Sequence, residues 1–383
     1  MPTDKQIEAA YNQIRSRIDA VNQEYLEAVA EQIKEIGELN PSSINRLAQM
    51  RLYGANVRKI KQSLAKALDL TVRDVQIILE AAAKQEYTSK DYLAVVRGRQ
   101  TFGLEYNVTL QNYIKALAQQ TKNTFMNFSQ TTNMDVAYQE AVSNAIDAVA
   151  RGVTDYKSAI RSTMRKLGGD GLRVTYASGL TRRMDSAIRQ NIVDSVRQVA
   201  AEAARQIGQE IQADGIELSA HPYSAPDHEP AQGRQYTLAE FQKMQSAQPF
   251  QDVDGNKYAA FLRPITQWNC RHFPSYIIIG VSSRRYSDKQ LSEWKQKNHK
   301  GCEIGGKKYT TYEASQLMRN LETAVRQQKD IANIAKGYGD DFLRREAQAK
   351  IRDLKAQYEK VAKASGLKQR TERMIVESYA EVA

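Results

Sequence analysis

All four histidines and both cysteines of this chain fall between His221 and Cys302. In order they are His221, His228, Cys270, His272, His299 and Cys302. Neutral imidazole and thiolate are the donors that a tetrahedral zinc ion prefers. His221, His228, Cys270 and His272 flank short loops, so they are the candidate ligands and zinc the candidate ion. Cys270-Arg271-His272 is not a CxxC knuckle, and the spacing from His221 to His228 matches no standard finger. The competing reading is that these side chains hydrogen-bond the backbone of a loop-rich module. A hydrolytic reading would use His221, Asp227, His228 and His272 around a metal-bound water. The chain contains no HExxH, no GxSxG and no glycine-rich GxGxxG or GxxxxGK[ST] loop, so no enzymatic activity is expected.

The elements that must position these residues can be read from proline. Six of the eight prolines lie between Pro222 and Pro274, none lies between Pro41 and Pro222, and none follows Pro274. Proline inside a helix costs about 3 kcal/mol or more, so the proline-free stretches permit long helices. The predicted class is mainly α: long helices flanking a small loop-rich α+β module, with a helical C-terminal tail. Four segments follow: an N-terminal helical domain over 1–165, a linker loop and long arginine-bearing helix over 166–213, the α+β module over 214–312, and a basic helical tail over 313–383.

Ile7, Tyr11, Ile14, Ile18, Val21, Tyr25, Val29, Ile33 and Ile36 form one apolar stripe at helical spacing, closed by Asn40-Pro41. Such a stripe packs within its own chain or docks on a partner; packing is preferred. Ser42 or Ser43 can cap a helix running to about Leu68, and Thr71 a separate one over 72–84. Segments 108–128 and 134–151 also read as helical, with Gly152 a stop. Gly168-Gly169-Asp170-Gly171 reads as a break, and 180–213 as a further helix. Residues 216–220 and 276–281 read as strands, with hairpin turns at Asp254-Gly255 and Gly305-Gly306, giving a small mixed sheet.

The net charge of +11 is uneven. Residues 1–150 are neutral, 151–205 carry +6, 206–279 carry −3 and 280–383 carry +8. A basic surface attracts polyanions through counterion release. Arg182, Arg183, Arg189 and Arg197 are the candidate phosphate contacts to double-stranded DNA; solvated helix faces are the plainer account. Two cysteines cannot make a disulfide framework, although one bridge between them is open. No apolar run approaches the ~20 residues that cross a bilayer, and MPTDKQIEAA has no signal-peptide core, so no membrane partner is expected.

Several fragments occur here in an ordered series. They are Gly171-Leu-Arg-Val-Thr-Tyr-Ala-Ser-Gly179, Ala187-Ile-Arg-Gln190, Ser219 to His228 with Gln232-Gly233, Trp268-Asn-Cys-Arg-His272 with Phe273-Pro274, Arg285 to Leu291, Gly306 to Ser315, and the helix with Leu321-Glu322 and Arg326. In this order the chain resembles the phage minor capsid proteins of type 2, distantly similar to the Mu F-like head morphogenesis proteins. The resemblance covers about residues 150–380. It departs between His221 and His228, where Pro-Tyr-Ser-Ala-Pro-Asp lacks the arginine that family members often carry.

The resemblance implies a virion structural protein inside the head near the portal vertex, made in the bacterial host cytoplasm. It implies contact with portal protein, with major capsid or scaffold proteins, and with packaged DNA. It implies no enzymatic activity; some relatives carry toxin or enzyme domains after the Mu F-like module, and none is expected here. Residues 1–165 are the expected portal-docking or self-associating region, because of the 7–36 stripe and the neutral charge balance.

Overall fold

The computed structural model describes residues 4–37, 53–87, 107–132, 153–252, 254–267 and 270–380, with isolated positions at 104 and between 137 and 148. By contacts the chain forms two discontinuous units. One comprises Met1–Tyr11, Val72–Thr121 and Gln190–Ser315; the other comprises Asn12–Thr71, Lys122–Arg189 and Gln316–Ala383. The architecture is mainly α with a small α+β part, as the proline map predicts.

Helix α1 (Asp4–Gly37) carries the apolar stripe. Tyr11, Ile18, Val21, Tyr25, Val29 and Ile33 are all buried, so the stripe packs within its own chain. The side chains of Ile7, Ile14 and Ile36, and the predicted stop at Asn40-Pro41, lie outside the described residues. These six side chains are not presented to a partner.

Helix α2 (Tyr53–Tyr87) is one element where the sequence reads as two. The predicted boundary at Leu68–Thr71 does not exist. Leu64, Leu68, Val75 and Leu79 stay buried on one side, and no proline or glycine interrupts the backbone there. A local capping signal lost to a continuous apolar stripe. Ser42, Ser43 and Gly152 lie outside the described residues, as does most of 134–151. Helix α3 (Val108–Gln130) matches its expectation.

Helix α4 (Tyr156–Asp170) is capped by Asp155, whose carboxylate accepts the Ser158 N–H at 2.9 Å. It runs through Gly168 and Gly169 and stops only at Gly171, with φ of 54°. The predicted break at 168 is therefore an approach site. A Cβ on Gly168 would lie 2.9 Å from the Ile331 Cα of helix α8 (Thr311–Tyr338).

The predicted helix over 180–213 begins late. Residues 181–183 form strand β2 (Thr181–Arg183), antiparallel to β1 (Arg173–Thr175), with a turn closed at Gly179. Helix α5 then spans Met184–Glu210. The buried α5 row Ile188, Ile192, Val196, Val199 and Ala203 matches the periodicity in the sequence.

The α+β module lies in the first unit. Strand β3 (Gly215–Leu218) is central, with β4 (Gln235–Thr237) on one side and β7 (Pro274–Ile277) on the other. Both pairings in the sheet are antiparallel, so the predicted mixed sheet is corrected; β4 and β7 run the same way but are separated by β3, and no parallel pair forms. The first predicted hairpin is β5 (Phe250–Gln251) with β6 (Lys257–Tyr258), turning through Asp254-Gly255. The second is β8 (Cys302–Ile304) with β9 (Lys307–Tyr309), turning at Gly305-Gly306. Helix α6 (Leu238–Gln245) follows β4 directly and starts in a capping box between Thr237 and Glu240. Ile216, Leu218, Tyr236, Phe241, Met244, Phe250, Tyr258 and Phe261 form the module's core. Phe273 and the partly buried Tyr276 pack on Ala200 and Ala204 of α5. Helix α7 (Asp288–Lys300) precedes the second hairpin, and helix α9 (Asp341–Ser365) follows α8 in the second unit.

Candidate metal centre

Two loops carry the candidate ligands. The first leaves β3 and carries His221, Ser224, Asp227 and His228 before returning through Gln232-Gly233 to β4. The second leads into β7 and carries Cys270 and His272. They are tied where they leave the sheet. The Ser219 N–H donates to the Phe273 carbonyl at 2.8 Å, and the Phe273 N–H to Ser219 Oγ at 2.8 Å. Arg197 of α5 donates to the Cys270 carbonyl at 2.8 Å, which anchors the cysteine from the helix side.

His228, Cys270 and His272 converge. One donor atom from each lies within 4.8 Å of the others, and all three residues are buried, at 0, 1 and 4 % exposure. Cys270 Sγ is 3.5 Å from His228 Nδ1 and 3.5 Å from His272 Nδ1. His228 Nε2 faces the Arg263 carbonyl at 3.1 Å and Asp227 Oδ2 at 3.3 Å. His272 Nε2 faces Gln232 Oε1 at 3.3 Å and Ser224 Oγ at 3.3 Å.

Burial governs the charge states. It lowers the pKa of His228 and, helped by the neighbouring His221 and His228 rings, lowers that of His272 well below the usual imidazole value. Burial also raises the Cys270 thiol. Without a cation the site therefore holds neutral rings and a protonated thiol. Two imidazole nitrogens and a sulfur at this separation suit a borderline ion such as zinc.

His221 is brought close but does not join the converging donors. Its ring stacks on His272 with centroids 4.9 Å apart, and its backbone N–H donates to Gln232 Oε1 at 3.0 Å. His299 lies elsewhere, exposed and bonded to Glu229 at 2.7 Å. Cys270 and Cys302 are both free thiols, so the open disulfide is not formed. The sequence reading missed Arg263, because a backbone carbonyl carries no spacing signal, and Ser224 appeared only inside the Ser219–His228 fragment. Gln232-Gly233 stood out only as part of the ordered series of fragments.

The profile of the phage minor capsid protein 2 family matches residues 3–361. The chain belongs to that family. No curated protein and no solved structure matches it. This minor capsid protein is a structural component of the virion that works among other virion proteins. Among its described residues no helix is long and apolar enough to cross a membrane.

The four arginines proposed for DNA divide sharply in this minor capsid protein. Arg182 is exposed on β2 and Arg189 half-buried on α5. Arg197 holds the Cys270 carbonyl. Arg183 is 8 % exposed and paired with Asp330 at 2.7 Å and Asp185 at 3.4 Å. A guanidinium enclosed by two carboxylates is not presented to a phosphate, so Arg183 is withdrawn as a DNA contact. Its buried environment is invisible in a sequence that shows only Arg182-Arg183 ahead of a helix.

Proposed function

We propose that this minor capsid protein is bound near the portal vertex inside the head, acts in head morphogenesis, and assists DNA packaging or delivery. Its partners in this reading are portal protein and major capsid or scaffold protein. The observation that carries it is the family match over residues 3–361, which takes in nearly the whole chain. His228, Cys270 and His272 are buried, at 0, 1 and 4 % exposure, which leaves a substrate little access to an ion held between them. That supports a structural reading over a hydrolytic one. The described residues of the α1 stripe are already covered, which favours a partner-facing surface elsewhere.

The test is incorporation into particles. Procapsids assembled from capsid and scaffold proteins are purified with and without portal protein, and this chain is quantified in each. The reading expects incorporation only when portal is present. Equal incorporation without portal would reassign the chain to the capsid or scaffold lattice, and absence from both would end the assignment. Phage DNA incubated with the protein and several divalent metals is expected to remain uncut.

A further inference from the structure

The two histidines beside Cys270 have defined tautomers. The Arg263 carbonyl and the Asp227 carboxylate both face His228 Nε2, and neither can donate a proton. His228 Nε2 is therefore the N–H, and its Nδ1 lone pair points at the sulfur. Gln232 supplies the parallel case. Its Oε1 accepts the His221 backbone N–H, which identifies that atom as the amide oxygen and not the nitrogen. His272 Nε2, 3.3 Å from the same oxygen, is the donor, and its Nδ1 lone pair also points at the sulfur.

Two lone pairs thus converge on one thiol, which has one hydrogen. The thiol can satisfy one imidazole and not both. A buried acceptor left unpaired is destabilising, so this arrangement is a poor design for hydrogen bonding alone. It is a good one for a cation.

The distances agree. Zinc takes sulfur at about 2.3 Å and imidazole nitrogen at about 2.0–2.1 Å in a tetrahedron, which places S and N about 3.5 Å apart. The two S···N separations here are both 3.5 Å. The outer contacts also have the form found around metal-bound histidine: a carboxylate or carbonyl on the far nitrogen of each ring fixes its orientation and strengthens it as a ligand.

We propose that Cys270 Sγ, His228 Nδ1 and His272 Nδ1 hold one zinc ion. Binding replaces the thiol hydrogen: the S–H bond breaks, the Zn–S bond forms, and one proton leaves to solvent. Ser224 Oγ and Gln232 Oε1 lie at the far edge of the His272 ring and are not ligands, so in this proposal the fourth ligand is one enclosed water molecule. His221 stacks on a ligand and is not itself one. The ion links the β3–β4 loop to the segment entering β7. A small, loop-rich module gains stability from such a link.

The experiment uses the purified full chain. Elemental analysis after exhaustive dialysis is expected to give about one zinc per chain. Replacement by cobalt is expected to give thiolate-to-cobalt absorption in the near ultraviolet and the visible bands of a four-coordinate ion. Cys302→Ser and His299→Ala should leave both signals unchanged, and Cys270→Ser and His228→Ala should abolish them. Should those two variants fail to fold, the cobalt spectrum of Cys302→Ser still decides, because Cys270 is then the sole thiol. His221→Ala should keep at least half of the zinc. Zinc retained by a folded Cys270→Ser would overturn the assignment, as would a wild-type chain that takes up neither zinc nor cobalt.

Discussion

Arg183 Nη2 lies 2.7 Å from Asp330 Oδ2, joining the end of β2 to helix α8 with both side chains essentially out of water. Asp185 sits 3.4 Å from the same guanidinium and 3.1 Å from Arg326. Burial alone would raise Asp185, but Arg326 and Arg183 overcome it and hold the carboxyl at about 2. Burial raises Asp330, with Arg183 opposing. Removing one partner of a buried pair costs about 3–5 kcal/mol, because the other charge is left behind. Arg183→Met is therefore expected to lower the unfolding free energy of the second unit, read from urea denaturation, by that amount. Combining it with Asp330→Leu should recover most of the loss, since no orphaned charge remains. A double variant no better than the single would show that the network does more than neutralise Asp330.

Asp19 gives the second unit a pH dependence of opposite sign to the usual carboxylate. Burial raises its pKa to about 7, with Asp185 and Asp330 adding to the effect and the Glu377 N–H opposing it. The unfolded chain loses this proton near pH 4, and the folded chain near pH 7. The folded form thus binds more protons between those values. Its stability is full below pH 4 and falls as pH rises to about 7. Asp19→Asn is expected to remove that slope and to raise stability at pH 8 relative to wild type. Urea midpoints at pH 5 and pH 8 test this; a wild-type midpoint unchanged across the interval would contradict it.

Much of this architecture was legible because it follows from backbone rules. The described residues of the proline-free stretches are mostly helical, and Asp254-Gly255 and Gly305-Gly306 turn hairpins. The errors arose where tertiary contact overrode a local signal. Thr71 looked like a cap, but the buried row from Leu64 to Leu79 carries α2 straight through. Gly168 looked like a break, but the close approach of Ile331 is what requires a residue without a Cβ. At the site, residue type gave His228, Cys270 and His272. It could not separate His221, whose ring stacks on His272. Arg183 was indistinguishable from Arg182 because burial is decided by residues over a hundred positions away.

Gly208 lies inside α5, where glycine costs up to about 1 kcal/mol relative to alanine unless packing requires it. Here packing does. A Cβ at this position would overlap Cγ, Cδ1 and Cβ of Tyr276 in β7. Gly208→Ala is expected to destabilise the first unit by about 1–3 kcal/mol, the usual range for overpacking, despite its better helix propensity. Gly208→Ala combined with Tyr276→Ala should lose less than the two separate losses added together. Strict additivity would mean that the close approach does not limit the helix.

The C-terminal segment after α9 is a strap whose backbone is held by basic side chains. Arg15 donates to the Glu372 carbonyl at 2.8 Å, Arg326 to Arg373 at 2.7 Å, and Lys329 to Met374 at 2.8 Å. The Glu377 N–H returns a bond to Asp19 at 3.3 Å, and Asn333 reaches Ser378 Oγ at 3.0 Å. Met374 and Val376 are buried beneath it. Burying two such side chains contributes about 1.5–3 kcal/mol each, and hydrogen bonds from charged donors about 1.5–3 kcal/mol each. A chain ending at Arg370 is therefore expected to lose several kcal/mol in the second unit. Removing the strap strips acceptors from α1 and α8 together, so hydrogen exchange at the amides of both helices should accelerate by at least tenfold. Amides of β3 in the first unit serve as the internal reference. Unchanged protection in α1 would show that the strap rests on the unit without stabilising it.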